Sequence, residues 1–393
     1  MKLNQFKKNI AKILNFFLGD IVSKLIIKVS NKFNIKYTGN NLWGATGHTI
    51  PEIDLFLRKK YLGHIKKEWK VVLLSREKVM TKIIYRLFKK HFYFRIISVY
   101  IEIFIKKKVL AKNLNLNLNI GLNASNCFDD TNIPHSEMYS RFNSYYKIRK
   151  KTKKYNAFKE IIFNNELNNF FQFNLKKTKY IVLQIKTTTA NATAIPTDIK
   201  GYLPTIKYFK RLGFKIIFAG GVEKYPAIFK KFGVINYNLY KKQSIYTDLE
   251  LISKANFVLC AASGFSWYAS LYNVPTVYSN NWQIIHPPYG EFIIQLPLKF
   301  LNKNDQLVKF SEIIKHNIEI DNYNFNAFDK YKVIASNGKD ILEASKEAMN
   351  LTINYENASI DYINFKNKYK KYPIYFSESR ISKNFMEKNK MLF

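Results

Sequence analysis

Three short stretches of this chain gather residues that can do chemistry. In "WGATGHTIPEID", Trp43 to Asp54, Gly44 and Gly47 let the backbone approach a ligand closely, and His48, Glu52 and Asp54 add three ionisable groups. A histidine titrating near working pH can take a proton from a hydroxyl, and a carboxylate at Glu52 or Asp54 can do the same work. In "KTTTANATAIPTD", Lys186 to Asp198, the hydroxyls of Thr187, Thr188 and Thr189 beside Lys186 suit a phosphate or a sugar. In "CAASGFSWYASLYNVPTVYSN", residues 260–280, Ser263, Gly264 and Phe265 stand where a strand hands over to a helix. A helix N-terminus presents N–H groups and partial positive charge, so small residues there leave room for a diphosphate. Each stretch also has a plainer reading: a capped Gly-rich turn, a polar surface loop, and tight helix–strand packing.

Other chemistries find less support. Cys127 and Cys260 are far apart, and His48, His64, His91, His135, His286 and His316 include no pair at metal-ligand spacing. Neither a disulfide framework nor a zinc site is expected, and no cofactor is called for. The doublet Asp129-Asp130 reads as a solvated loop pair rather than a metal site.

The elements that must position these residues are clearest in the second half. "KYIVLQI" (179–185), "FKIIFAG" (214–220), "NFVLCA" (256–261) and "PTVYS" (275–279, the final strand) read as buried strands. "GVINYNL" reads as a further extended piece, and helices are expected over 201–212, about 225–232, 246–254 and "FSWYASLY". Short apolar strands alternating with helices predict parallel βαβ units and a doubly wound α/β sheet. The first half repeats this grammar in "IKYT" (35–38), a helix beginning near Pro51, "KVVLLS" (70–75), "RIISVYI" (95–101) and "LNIGLN" (118–123). The basic stretch 141–158 is either the connection between two domains or a basic helix. The expected division is a helix over 1–30, an N-terminal domain over 31–160, and a C-terminal domain with a helical tail over 161–393.

Composition sets bounds on partners. The 393 residues are 47% hydrophobic, enough for two buried cores, and 64 Lys and Arg against 28 acids give a charge of +36. That excess favours an anionic partner, although an AT-rich genome would produce the same Lys, Asn and Ile bias. At the N-terminus Phe6, Ile10, Ile13, Phe17, Ile21 and Leu25 recur at helical spacing, with Lys7, Lys8, Lys12 and Lys24 elsewhere. Such a helix either lies on an anionic membrane surface or caps the N-terminal domain with its apolar face inward. No apolar stretch reaches the ~18 residues of a membrane span, and no small-residue cleavage signature follows the N-terminal run.

The run "DLELISKANFVLCAASGFSWYASLYNVPTVYSN" resembles the C-terminal donor segment of GT-B glycosyltransferases, heptosyltransferase-like members in particular. A bacterial family of GT-B glycosyltransferases associated with surface polysaccharides also shows a Gly-His-x-x-x-Glu-x-Asp-x-x-x-Arg pattern. Gly47, His48, Glu52, Asp54 and Arg58 match it, and the tail "SRISKNFMEKNKMLF" is similar to that family's ending. "GATGHTIPE" is also similar to the Gly-rich His loop of the lipid-linked N-acetylglucosaminyltransferase of peptidoglycan synthesis. The resemblance covers residues 35–60 and 178–393. It implies two Rossmann-like domains facing a central cleft and metal-independent, inverting transfer of a sugar from a nucleotide diphosphate. The acceptor would be a surface glycan or lipid-linked, reached in the cytoplasm or at the inner membrane face. Heptosyltransferases commonly carry Asp or Asn before the Ser/Thr-Gly step and His three residues after it. Ala262 and Trp267 stand there, so ADP-heptose is not implied as the donor. Two other classes compete: a nucleotide-sugar 2-epimerase of the same fold, and a basic nucleic-acid-binding protein, for which no recognition motif is present.

Overall fold

The structure, a computed structural model, describes residues 2–38, 46–75, 78–97, 107–114, 116, 135–186, 198–220, 224–261, 264–282, 284–319, 330–351 and 358–393. Two compact units emerge: unit 1 comprises Met1–Ile133 with Ile148–Ala157, and unit 2 comprises Pro134–Lys147 with Phe158–Phe393.

Unit 1 is built on three parallel strands in the order β1 (Ile35–Thr38), β2 (Lys70–Ser75), β3 (Phe94–Ile97). Helix α1 (Lys2–Lys32) precedes β1, α2 (Thr46–Tyr61) joins β1 to β2, α3 (Lys78–Leu87) joins β2 to β3, and α4 (Lys107–Leu114) follows. Strand side chains alternate between faces, so Ile35, Tyr37, Val72, Leu74, Phe94 and Ile96 share one. Val22, Ile26 and Ile27 of α1 and Leu114 of α4 pack on that face. Among the described side chains of α1, Gly19, Ser23 and Ser30 are the fully buried ones, small enough to let the helix lie close. The inward face of α1 is therefore not the Phe17–Ile21–Leu25 stripe, whose members are exposed.

The helix expected near Pro51 starts five residues earlier, with Pro51 inside it and Ile50, Ile53, Phe56 and Leu57 buried. A proline there gives up one intrahelical N–H bond and crowds the carbonyl four residues back, and the helix continues through it with apolar residues buried on both sides. The third strand ends at Ile97 within the described residues; the expected strand over 118–123 and the Asp129-Asp130 doublet lie outside them. The stretch 141–158 is largely helical, as part of α5 (His135–Lys151).

Unit 2 carries a seven-stranded, all-parallel sheet: β4 (Tyr180–Gln184), β5 (Lys215–Phe218), β6 (Ile235–Asn236), β7 (Phe257–Cys260), β8 (Thr276–Asn281), β9 (Ile293–Pro297) and β12 (Arg380–Ile381). Their order is β12-β9-β8-β7-β4-β5-β6, with every adjacent pair parallel. Every residue of β4, β7, β8 and β9 is buried, as expected for parallel strands covered on both faces. The crossover helices include α6 (Leu203–Arg211), α7 (Ala227–Lys231), α8 (Ile245–Ser253) and α9 (Phe265–Tyr272). A small antiparallel pair, β10 (Lys299–Leu301) with β11 (Lys332–Ile334), leads to α10 (Gly338–Leu351).

The strand at 276–281 is not the last. Among the described residues no helix joins β8 to β9, and the C-terminal segment returns to pair Arg380 with Ile294 and Ile381 with Gln295. A buried polar chain fixes that return. Asn281 donates to Gln295 Oε1 at 2.7 Å, Gln295 donates to Ser379 Oγ at 2.7 Å, and Ser377 donates to the Pro288 carbonyl at 2.8 Å. Each group satisfied in this way is spared the cost of unpaired burial.

Candidate functional site

From β4 the chain runs outward to β5 and β6, then returns to β7 on the other side of β4. The strand order therefore reverses between β4 and β7, and the crevice at the carboxyl ends of two such strands is where open α/β sheets bind ligands. Gln184 is registered with Cys260, and the Ala261 N–H donates to the Gln184 carbonyl at 2.8 Å. The segments beginning at Ile185-Lys186 and at Ala261 thus leave the sheet side by side. Two of the three stretches singled out by residue type thus start from neighbouring strand ends.

On the β7 side, α9 begins at Phe265 with Gly264 as its N-cap, in helical backbone geometry (φ −61°, ψ −18°) and with no side chain to close the helix end. Phe265, Ser266, Tyr268, Ala269, Ser270 and Leu271 are buried, which fixes the axis of α9. Ser270 hydrogen-bonds the Tyr289 carbonyl. Gly290 (φ +156°) approaches so closely that a Cβ there would lie 3.3 Å from Ser270 Oγ. Asn273, in the left-handed conformation (φ 55°), ends the helix before Val274-Pro275 and β8. Trp267, at the place of the resembling family's histidine, packs near Phe142 (6.4 Å between ring centroids) and Tyr145 (6.0 Å). Phe142 also touches His286, at 3.7 Å between ring centroids, in the loop that follows β8.

On the β4 side Lys186 is half-buried, and Thr187, Thr188 and Thr189 lie outside the described residues, as does Ser263. The far end of that segment is anchored. Asp198 accepts the Lys200 N–H, and Tyr202 lies 2.6 Å from Ser279 Oγ, which donates to the Cys260 carbonyl at 3.1 Å. Asn280 (φ 54°) accepts the Ser336 N–H at 2.8 Å, and Asn337 caps α10 by accepting from the Asp340 N–H at 2.9 Å. At Gly338 a Cβ would meet the Gly201 carbonyl at 3.0 Å, so α10 and the turn before α6 close directly on one another. Residue-type reasoning missed Tyr202, Ser279, Asn280, Ser336 and His286. The run "ASNG" before α10, an Asn cap followed by Gly, was the available signal.

The acidic residue that opens the resembling segment, Asp248, stands in the first turn of α8 behind the capping box of Ser244 and Thr247. It is only partly covered as a residue, but its carboxyl is enclosed, and burial pushes its pKa up to about 7. A hydrogen bond of 3.1 Å from the Tyr237 hydroxyl opposes that rise.

In unit 1, Gly44 lies outside the described residues, and Gly47 and His48 belong to the first turn of α2 rather than to a loop. Glu52 and Asp54 are buried, at 1% and 2% exposure. Asp54 accepts from Arg58 Nε at 2.9 and 2.8 Å on its two oxygens and lies 3.6 Å from Arg149. Arg58 also donates to the Thr152 carbonyl and hydroxyl, both at 2.8 Å. The Asp and Arg of the N-terminal pattern thus tie α2 to the end of α5. Among the described residues no three His, Cys, Asp or Glu side chains converge as a metal site would require.

No family model and no curated protein matches the chain. Solved structures similar to it include the glycosyl transferase family 9 protein from Veillonella parvula, with a TM-score of 0.46 and 10% identity over 81% of this chain and 97% of that one. E. coli ADP-heptose lps heptosyltransferase II follows at 0.45 and 10% identity, over 82% and 100%. The iron-containing dodecameric glycosyltransferase TibC from enterotoxigenic E. coli gives 0.42 and 11% identity over 66% of this chain, which spans 62% of that protein's length. At similarities this low, the α/β assignment rests on the chain's own strand order.

Proposed function

We propose that the protein is a GT-B-type glycosyltransferase that moves a sugar from a nucleotide-diphosphate donor to a hydroxyl of a surface glycan or lipid-linked acceptor. The observation that supports this most is the strand reversal between β4 and β7, from which the Lys186 segment and the Gly264 end of α9 leave adjacent strands. That combination suits a diphosphate, with Lys186, Thr187, Thr188, Thr189, Ser263, Gly264 and Phe265 as the donor side.

In the reaction the acceptor oxygen forms a bond to the anomeric carbon while the bond from that carbon to the diphosphate oxygen breaks. The diphosphate leaves with the electron pair, and a protein base takes the acceptor proton. We assign the base to His48, with Glu52 in reserve and Gly44 and Gly47 shaping its approach. Asp54 is committed to Arg58 and Arg149 and serves better as a tie. The resemblance implies inversion, needs no metal or cofactor, and suggests a protein working in the cytoplasm or at the inner membrane face. Among the described residues no helix is long and apolar enough to cross a membrane.

The test pairs donor titration with single-turnover transfer on one folded preparation. His48→Ala is expected to keep its affinity for the nucleotide sugar and lose transfer by ~10²–10⁴-fold. Wild-type turnover in His48→Ala with a dead Glu52→Gln would move the base to the carboxylate. Conversion of donor to an isomer without acceptor would make the protein an epimerase, and tight, salt-sensitive RNA binding would revive the nucleic-acid reading.

A further inference from the structure

Over its described side chains, helix α1 turns one face towards the sheet of unit 1. On the other, Phe17, Ile21, Leu25 and Val29 are 70%, 68%, 59% and 44% exposed. They recur every four residues and so form one continuous ridge. Lys24, Lys28 and Lys32, all exposed, recur at the same interval and form the ridge beside it. Ile13, Phe16 and Leu18 extend the exposed apolar surface towards the start of the helix.

Lysine-flanked aromatic rings cluster just past the helix end. Phe33, half exposed, has Lys32 and Lys70 each 5.9 Å from its ring centre, and Lys70 lies 5.3 Å from the ring of exposed Tyr93. Close by in the chain, Trp69 has Lys36 at 5.6 Å and Lys66 at 5.9 Å from its ring. Aromatic rings interleaved with lysines suit the boundary between water and an apolar phase, where the rings bury and the ammonium groups stay wet.

Charge decides the occupant. Asp20 is the sole acid in α1, so a second copy docked on this face would set lysine against lysine. A bilayer containing anionic lipid offers hydrocarbon for the ridge of Phe17 to Val29 and negative headgroups for Lys24, Lys28 and Lys32. We infer that this face of α1, helped by the exposed rings of Phe33 and Tyr93 near its end, seats the protein on an anionic lipid surface while the opposite face closes the sheet of unit 1. The inference shares the membrane-side acceptor of the proposed function but stands on this face alone.

Vesicle flotation of the full chain tests it, with phosphatidylcholine vesicles compared against vesicles that also contain phosphatidylglycerol. The wild type is expected to float only with the anionic vesicles at low salt. Lys24→Gln/Lys28→Gln/Lys32→Gln should weaken binding by roughly 100-fold, and Phe17→Ser/Ile21→Ser/Leu25→Ser should abolish it. Both variants alter exposed side chains, so their unfolding midpoints should match the wild type. An unbound wild type, equal binding by both variants, or a dimer dissolved by the serine variant would overturn the inference. Stabilisation by nucleotide sugar, measured on the same variants, should be unchanged. A lost donor response in the wild type would instead count against the proposed function.

Discussion

A buried carboxylate held by guanidinium groups is costly to break from either side. Removing one partner strands the other charge away from water, at about 3–5 kcal/mol. Asp54→Ala is therefore expected to lower stability by that amount in chemical denaturation, and Arg58→Met by a similar amount. An effect within about 0.5 kcal/mol would mean that the tie between α2 and α5 contributes nothing. Asp248 sets a pH dependence of opposite origin. Its carboxyl keeps a proton up to about pH 7 in the folded chain, whereas unfolded aspartate releases it near pH ~4. Between these values the folded state binds more protons, so this residue lowers stability as pH rises from about 4 to about 7. Asp248→Asn should gain on the order of 2 kcal/mol over the wild type between pH ~5 and ~7; a pH-independent difference would refute it. The four-residue spacing of Asp54 and Arg58 was legible in the sequence. Their burial was not, because Arg149 and Thr152 come from the end of α5 and the turn after it, some ninety residues later.

Helix α1 and the strands show which elements a sequence discloses. Ile26 and Ile27 pack on the sheet of unit 1, whereas Ile21 is 68% exposed. Ile26→Ala and Ile27→Ala should each cost about 1–2 kcal/mol, and Ile21→Ala less than about 0.5 kcal/mol. Equal losses at all three positions in thermal unfolding would show that the faces are assigned wrongly. Helical spacing picked out the more apolar stripe, but the inward face is padded with Gly19, Ser23 and Ser30, whose small side chains hide it from any count of hydrophobic residues. Strands β4, β5 and β7 were legible as unbroken apolar runs because they lie near the centre of a parallel sheet. Strand β9 was missed because no helix introduces it, and β12 because its two residues pair only after the chain has returned from far along the sequence.

At the scale of the whole molecule, the proposed function turns on strand order, which no local pattern states. Each candidate loop of unit 2 was legible by composition, and their adjacency came only from the register of Gln184 with Cys260. That adjacency gives the proposed donor site its most direct test: thermal unfolding of the wild type and Gly264→Val across a panel of UDP-, GDP-, ADP- and CMP-sugars. Valine fits the backbone at Gly264 (φ −61°), so the fold should survive while the branched side chain obstructs the end of α9. At a ligand concentration about 100 times Kd, binding contributes about 2.7 kcal/mol to the folded state. At least one nucleotide sugar should raise the wild-type midpoint and fail to raise that of Gly264→Val. No stabilisation by any member of the panel, or the same stabilisation of both proteins, would contradict a donor site between β4 and β7.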